Sequence, residues 1–197
     1  MGSETLTSTS YLVLGLVGWL QPATPYDLKQ AVADTVGNFW PFPHTQLYSE
    51  PARLTELRLL AEERERSGRR RRSYRLTESG QEALGKWLSE PTEQPSEYRD
   101  IGLLKLFFSG LGEKAAVAKL AQQQIQAHEQ RLQFFKEIQA AAFSGEPKWT
   151  ERCGEESLSS DEASKAARLR TLAMGFELEE AALRFWHSVA QDETLSA

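Results

Sequence analysis

Seven arginines and one glutamate lie within Arg64–Thr77, RERSGRRRRSYRLT, a local charge of +6 in a chain whose formal net charge is −5. Guanidinium is planar and permanently charged, and its fork of donors matches a phosphate, so a polyanion would dock first at such a run. The charge around it is uneven. Residues 1–90 hold 11 Lys+Arg against 11 Asp+Glu and residues 91–197 hold 12 against 17, so the acidity belongs to the second half. Glu62, Glu63 and Glu65 crowd the arginines from one side.

Other chemistries find little support. His44, His128 and His187 stand at no ligand spacing, and the single Cys153 can form neither an internal disulfide nor a cysteine-rich metal site. No Ser/His/Asp set, glycine-rich phosphate loop or HExxH pattern occurs, and the carboxylate pairs Glu155–Glu156 and Glu179–Glu180 are expected on loops or solvated helix faces. The expectation is a protein that is not an enzyme and holds no metal or cofactor. The longest apolar run, Tyr11–Leu20, is about half of a bilayer span, and the opening MGSETLTSTS has no secretory pattern, so the expected compartment is the cytoplasm.

The elements that must position the arginines follow from local signals. A helix from about Ser10 to Leu20 is apolar on nearly every side and is expected to be central and buried, with Thr7, Ser8 or Thr9 as its cap. TPYDLKQAVADTVG supplies Thr24 as N-cap, Pro25 at the first helical position, Asp27 at the positive helix end and Gly37 as a stop. From about His44 to Leu57, Leu47, Leu54 and Leu57 share one face, with Tyr48 beside it. Two short strands about a Ser67-Gly68 turn come next, then a helix capped by Thr77. The Pro/Ser/Glu-rich stretch Ser89–Tyr98 separates the halves. Beyond it a short apolar helix ends at Gly110. A long helix follows with a stripe through Val117, Leu120, Gln124, Ala127, Arg131, Phe134, Ile138 and Ala141. In a last helix, capped by Ser159 with Glu162, Leu169, Leu172, Phe176, Leu183 and Trp186 share a face. Gln124 and Arg131 interrupt the stripe as polar positions.

Three helices and a twisted hairpin make a winged helix-turn-helix, whose third helix enters the major groove while the hairpin lies along phosphates. If Tyr74 and Leu76 face the core, strand alternation turns Arg71, Ser73 and Arg75 the other way, and Arg69 and Arg70 flank the turn beside Arg72. His44, Thr45, Gln46 and Ser49 near the start of the third helix, with Arg53 further along, are the candidates for base-edge and phosphate contacts. About three phosphate contacts per subunit would give a dimer a log–log salt slope near −5. The fold class is mainly α: a winged helix-turn-helix N-terminal domain in 1–90 and an all-helical C-terminal dimerisation domain in 91–197.

In YLVLGLVGWLQPATPYDLKQ, HTQLYSEPARLTEL and GRRRRSYRLTESGQEAL the chain resembles the PadR-like transcriptional regulators, whose first two helices, recognition helix and wing these segments match. LLKLFFSG and GFELEEAALRFW resemble the C-terminal domain of the family's longer members. The resemblance implies a sequence-specific regulator of double-stranded DNA, a repressor on a palindromic operator, with Tyr26, Tyr48 and the wing arginines at or near the DNA. It also implies a homodimer built from the C-terminal helices, with Leu120, Phe134, Leu169, Leu172, Phe176 and Leu183 as interface candidates. Some relatives respond to small aromatic molecules. An effector that favours a dimer of mismatched half-site spacing would release the operator; Trp40 and Trp186, with aromatic neighbours Phe39, Phe42 and Phe185, are the candidates to bind it. Two positions depart from the family. Ser49 replaces the proline that follows the recognition-helix tyrosine and Pro51 stands two places later, so the helix is expected to start late or kink. Arg58 replaces the glycine that ends this helix, so its left-handed C-cap is expected to be missing. The rival reading is a winged-helix module that docks an acidic protein partner, with the arginines supplying electrostatic steering.

Overall fold

The computed structural model describes residues 5–41, 43–64, 71–92, 99–113, 115–144 and 162–196. They form two compact units, one built on Met1–Thr92 and one combining Glu93–Ser144 with Ala167–Ala197. The first holds α1 (Ser8–Leu20), α2 (Pro25–Asp34), α3 (Gln46–Glu56), β1 (Leu60–Arg64), β2 (Arg72–Leu76) and α4 (Glu78–Ser89).

Helix α1 starts in a capping box. Thr7 Oγ1 accepts from Ser10 N at 3.3 Å, and Ser10 Oγ accepts from Thr7 N at 2.9 Å. Its apolar sequence leaves Val13, Leu14, Leu16, Val17 and Leu20 buried at the centre of the unit, against Leu28 and Val32 of α2, Leu47 and Leu54 of α3, Leu60 and Tyr74. Helix α2 repeats the device with Thr24 and Asp27, and Pro25 leads it as expected. It ends at Asp34, before Gly37, which falls in a 3-10 turn over Val36–Asn38.

The strands pair antiparallel from Leu60↔Leu76 to Arg64↔Arg72. Tyr74 is buried and Leu76 half-buried as expected, but Ser73 and Arg75 on the opposite face are half-buried too, and the exposed arginines are Arg71, just before β2, and Arg72 at its start. Ala23 adds a bridge on the other edge of β2, exchanging both backbone hydrogen bonds with Tyr74 at 2.9 and 3.0 Å. The α1–α2 connection is thereby fixed to the wing. The expected Ser67-Gly68 turn, with Arg69 and Arg70, lies outside the described residues.

Helix α3 does not start late enough to place Pro51 in its first turn: it begins at Gln46, so the proline stands in the interior. Its first turn closes with i+3 bonds, Leu47 N to His44 O and Tyr48 N to Thr45 O at 3.1 Å each, before the helical pattern begins at Ser49 N to Thr45 O. Pro51 lies fully buried inside the helix, which runs to Glu56. The expectation about its end is corrected. Arg58 takes φ 61°, Leu59 N donates to Leu54 O and Arg58 N to Thr55 O, both at 2.9 Å, a complete Schellman cap with arginine where glycine is usual. A side chain in the left-handed region costs about 1 kcal/mol, and Arg58 is exposed, so Arg58→Gly is expected to stabilise the protein by about 0.5–1 kcal/mol. Urea denaturation should show the midpoint rising; an unchanged or lower midpoint contradicts this reading.

The second unit holds α5 (Ile101–Phe107), α6 (Ala115–Ser144), most of α7 (Glu162–Gln191) and α8 (Glu193–Ser196). Helix α5 stops at Phe107, and Gly110 falls in a following 3-10 turn, Ser109–Leu111. The core joins Val117 and Ala121 of α6 to Trp186 and Val189 of α7. On α6 the inward stripe runs through Phe135, not Phe134, because the burial follows Val117, Ala121, Ile125, His128, Leu132 and Phe135. Phe135 meets Phe176 edge-on at 5.9 Å.

Glu179 also departs from its expected solvated face. It is 6% exposed, with His128 Nδ1 at 2.5 Å from Oε2 and Arg131 Nε donating to Oε1 at 2.8 Å. A buried carboxylate survives only when paired, so Arg131, which interrupts the apolar stripe, closes an α6–α7 ion pair. Gln124, the other interruption, lies where a Cβ on Gly102 would come within 2.8 Å of its amide carbon, so α5 passes close to α6. No helix among the described residues is long and apolar enough to cross a membrane.

Candidate nucleic-acid interface

The start of α2, the first turn of α3 and the start of β2 surround an open groove of about 730 Å³ lined by Thr24, Pro25, Tyr26, Asp27, Tyr48, Arg71 and Arg72. Tyr26 and Tyr48 are 53% and 54% exposed, so two phenol rings stand in solvent beside two guanidinium groups. The N-terminus of α2 adds the positive end of its dipole, which favours anions. Asp27 opposes this only in part: its carboxylate accepts from Thr24 N at 3.0 Å and Thr24 Oγ1 at 2.6 Å. The sequence points to Tyr26 and Tyr48 at this surface, whereas Thr24 and Pro25 leave only helix-start signals in it.

The wing arginines are not equivalent. Arg71 is exposed and forms no ion pair with another described residue. Arg72 reaches Glu62 at 3.9 Å, Arg64 also pairs with Glu62, and Arg75 Nε donates to Glu63 Oε1 at 2.9 Å. Glu62 and Glu63 therefore neutralise part of the cluster across the hairpin. Exposed pairs of this kind contribute little, roughly 0–1 kcal/mol, so a phosphate can displace a glutamate at small cost. Beneath them, burial and the charge of Glu62 push the Tyr74 phenol up, which keeps it neutral.

On α3 and just before it, His44, Thr45, Tyr48 and Ser49 are exposed. Two neighbours differ from expectation. The Gln46 amide oxygen is buried without a hydrogen-bond partner among the described residues, so it does not present its acceptor outward. Arg53 is turned inward: Nε and Nη2 donate to the two Glu50 carboxylate oxygens at 3.0 and 2.7 Å, and Nη2 donates to Ser10 Oγ at 2.9 Å. Its Nε and Nη2 are engaged inside the unit, though the side chain stays 32% exposed.

The two tryptophans sit in different units. Trp186 is 1% exposed and serves as the centre of the second core, with Phe185 edge-on at 5.2 Å, whereas Trp40 is exposed after the 3-10 turn of the first unit. Of the interface candidates, Leu120, Leu169, Leu172, Phe176 and Leu183 are half-buried within their own unit and Phe134 is exposed. Larger exposure falls on residues not foreseen, Phe107 at 81% and Leu111 at 88%, with Ile101, Leu104 and Phe108 on the same short segment. An apolar run reads as core in a sequence, and nothing local distinguishes one that stays outside.

Residues 13–86 match the Transcriptional regulator PadR-like family, and residues 98–191 match the Virulence activator alpha C-term family. The chain is 28% identical over 126 residues to the Negative transcriptional regulator PadR of Bacillus subtilis, covering 62% of this chain and 68% of that protein. Its fold is similar to the crystal structure of Bacillus subtilis PadR in complex with operator DNA, with a TM-score of 0.74 and 21% identity over 94% of this chain and 98% of that one. The same regulator in complex with p-coumaric acid gives 0.68 and 19% over 94% and 97%. The PadR-like transcriptional regulator BC1756 from Bacillus cereus gives 0.70 and 15% over 97% and 98%.

Proposed function

We propose, from the match of residues 13–86 to the PadR-like family, that the chain is a sequence-specific double-stranded DNA-binding transcriptional repressor, acting as a homodimer and relieved by a small molecule. The observation that carries this reading is the groove, where Tyr26, Tyr48, Arg71 and Arg72 and the start of α2 share one open surface. Backbone phosphates are its natural occupant: the arginines supply charge, and the phenols and the α2 terminus supply neutral donors that fix register. Helix α3 then reaches base edges in the major groove with His44, Thr45 and Ser49, while Tyr48 stands between groove and bases.

Dimerisation supplies the second half-site. The exposed apolar side chains of α5 and the turn after it, with Phe134 of α6 and Met174, Leu178 and Phe185 of α7, leave apolar surface on the second unit that a partner subunit could cover. The relative's complex with p-coumaric acid supports an effector for this chain too. It would act by favouring a dimer whose recognition helices no longer match the half-site spacing, and only in proportion to its preference for that state.

Selection of bound fragments from a random duplex pool tests the function. The expected result is an inverted repeat whose half-sites lie about 10 base pairs apart, the spacing of successive major grooves. Fragments with no shared sequence would favour the acidic-partner reading of the same basic surface.

A further inference from the structure

The inward turn of Arg53 has a functional consequence of its own. Little in the backbone of α3 holds its first half at one angle: Thr45 makes no side-chain cap, the first turn closes with i+3 bonds, and Pro51 cannot donate to the Leu47 carbonyl. Leu47, Pro51 and Leu54 anchor the inner face by burial, but burial is non-directional and tolerates rotation and sliding. Direction comes from one side-chain cluster. Arg53 grips Glu50 one turn back through two bonds and reaches Ser10 across 43 residues at 2.9 Å.

Ser10 is fully buried, and its hydroxyl also accepts from Thr7 N at the start of α1. Burial raises the Glu50 carboxyl, but hydrogen bonds from Arg53 and Ser10 and the charge of Arg53 outweigh it, so the group stays ionised at neutral pH. The exposed Tyr48 and Ser49 immediately precede Glu50.

We propose that Ser10, Glu50 and Arg53 form a clamp that sets the angle at which α3 presents Tyr48 and Ser49 to DNA, which makes Arg53 and Glu50 positioning residues and not contacts. The inference rests on the DNA-binding reading above. Contacts to base edges are effective only when their supporting groups hold them to within a fraction of an ångström, and a bidentate guanidinium–carboxylate pair fixes geometry in a way a point charge does not.

The test uses the full chain, its selected duplex and a scrambled one, at a temperature where circular dichroism shows every variant folded. Ser10→Ala, Glu50→Gln and Arg53→Lys are each expected to weaken binding of the selected duplex on the order of tenfold and to narrow its advantage over the scrambled one. The salt slope should stay at the wild-type value, since no phosphate contact is lost. Ser10→Ala combined with Arg53→Lys should be no weaker than either alone, because both break one unit.

Wild-type affinity and discrimination in folded variants that merely melt earlier would overturn the clamp and leave the DNA-binding reading standing. So would an effect confined to Arg53→Ala with a shallower salt slope, while Arg53→Lys and Ser10→Ala bind normally, because lysine can replace a phosphate contact but not the clamp. A wild-type protein that prefers no duplex would remove the DNA-binding reading and the clamp with it.

Discussion

Gly80→Ala is expected to destabilise the first unit by about 3 kcal/mol or more, a large fraction of the roughly 5–15 kcal/mol that holds a domain folded. A Cβ at position 80 would lie 2.1 Å from the Leu59 carbonyl oxygen and 3.0 Å from its carbon. That carbonyl cannot retreat. It accepts from Thr77 N at 3.2 Å, Thr77 Oγ1 lies 2.9 Å from it, and the same hydroxyl accepts from Gly80 N at 3.0 Å. Relief requires α4 to move off the base of the hairpin, which breaks the cap and the packing of Leu76 together. In thermal denaturation the melting temperature should fall by more than about 10 °C. Gly85→Ala is the control: it sits on the exposed face of the same helix with nothing within 4 Å of a new Cβ, so alanine should stabilise by up to about 1 kcal/mol. Equal effects of the two substitutions would show that the close approach at Leu59 is not what demands glycine.

The parts of this structure legible in the sequence are those whose cause is local. Thr24, Pro25 and Asp27 build the start of α2 within four residues, and each has the position its chemistry implies. Alternation along β2 buried Tyr74 for the same reason, since successive side chains must point to opposite faces. What was hidden depended on partners far along the chain. Arg53 meets Ser10 43 residues away, and Glu179 meets His128 across 51, so neither a contact to solvent nor a solvated carboxylate could be excluded from the sequence. The α6 stripe holds at Val117, Leu120, Gln124 and Ile138. From Ala127 to Phe134 it is displaced by one residue, about 100° around a helix, where His128, Leu132 and Phe135 turn inward and adjacent phenylalanines are equally apolar. Arg58 takes the left-handed conformation because two local backbone bonds to the end of α3 outweigh the cost of its side chain, a balance that residue type alone does not reveal.

At the interface, the residues expected from the arginine run divide by their neighbours. Arg71 and Arg72 line the groove, whereas Arg75 is held by Glu63 at the base of the hairpin. Arg71→Ala with Arg72→Ala removes two groove cations per subunit, and four per dimer. Each phosphate contact contributes roughly 0.9 to the log–log salt slope, so the loss should approach about 3.6, with affinity at low salt falling on the order of 10- to 100-fold. Arg75→Ala should change the slope less, since Arg75 does not line the groove. Arg71 is exposed, so Arg71→Ala alone should melt like the wild type, whereas Arg72 also hydrogen-bonds the buried Tyr74 phenol and the double variant should melt slightly lower.

The most direct measurement of the central claim is therefore the salt dependence of binding to the selected duplex, by fluorescence anisotropy, for the wild type and the Arg71→Ala, Arg72→Ala double variant. A steep wild-type slope that becomes shallower by about 3 to 4 in the double variant, with the preferred sequence unchanged, is the predicted result. A double variant with the wild-type slope and affinity would contradict the assignment of this groove to the phosphate backbone.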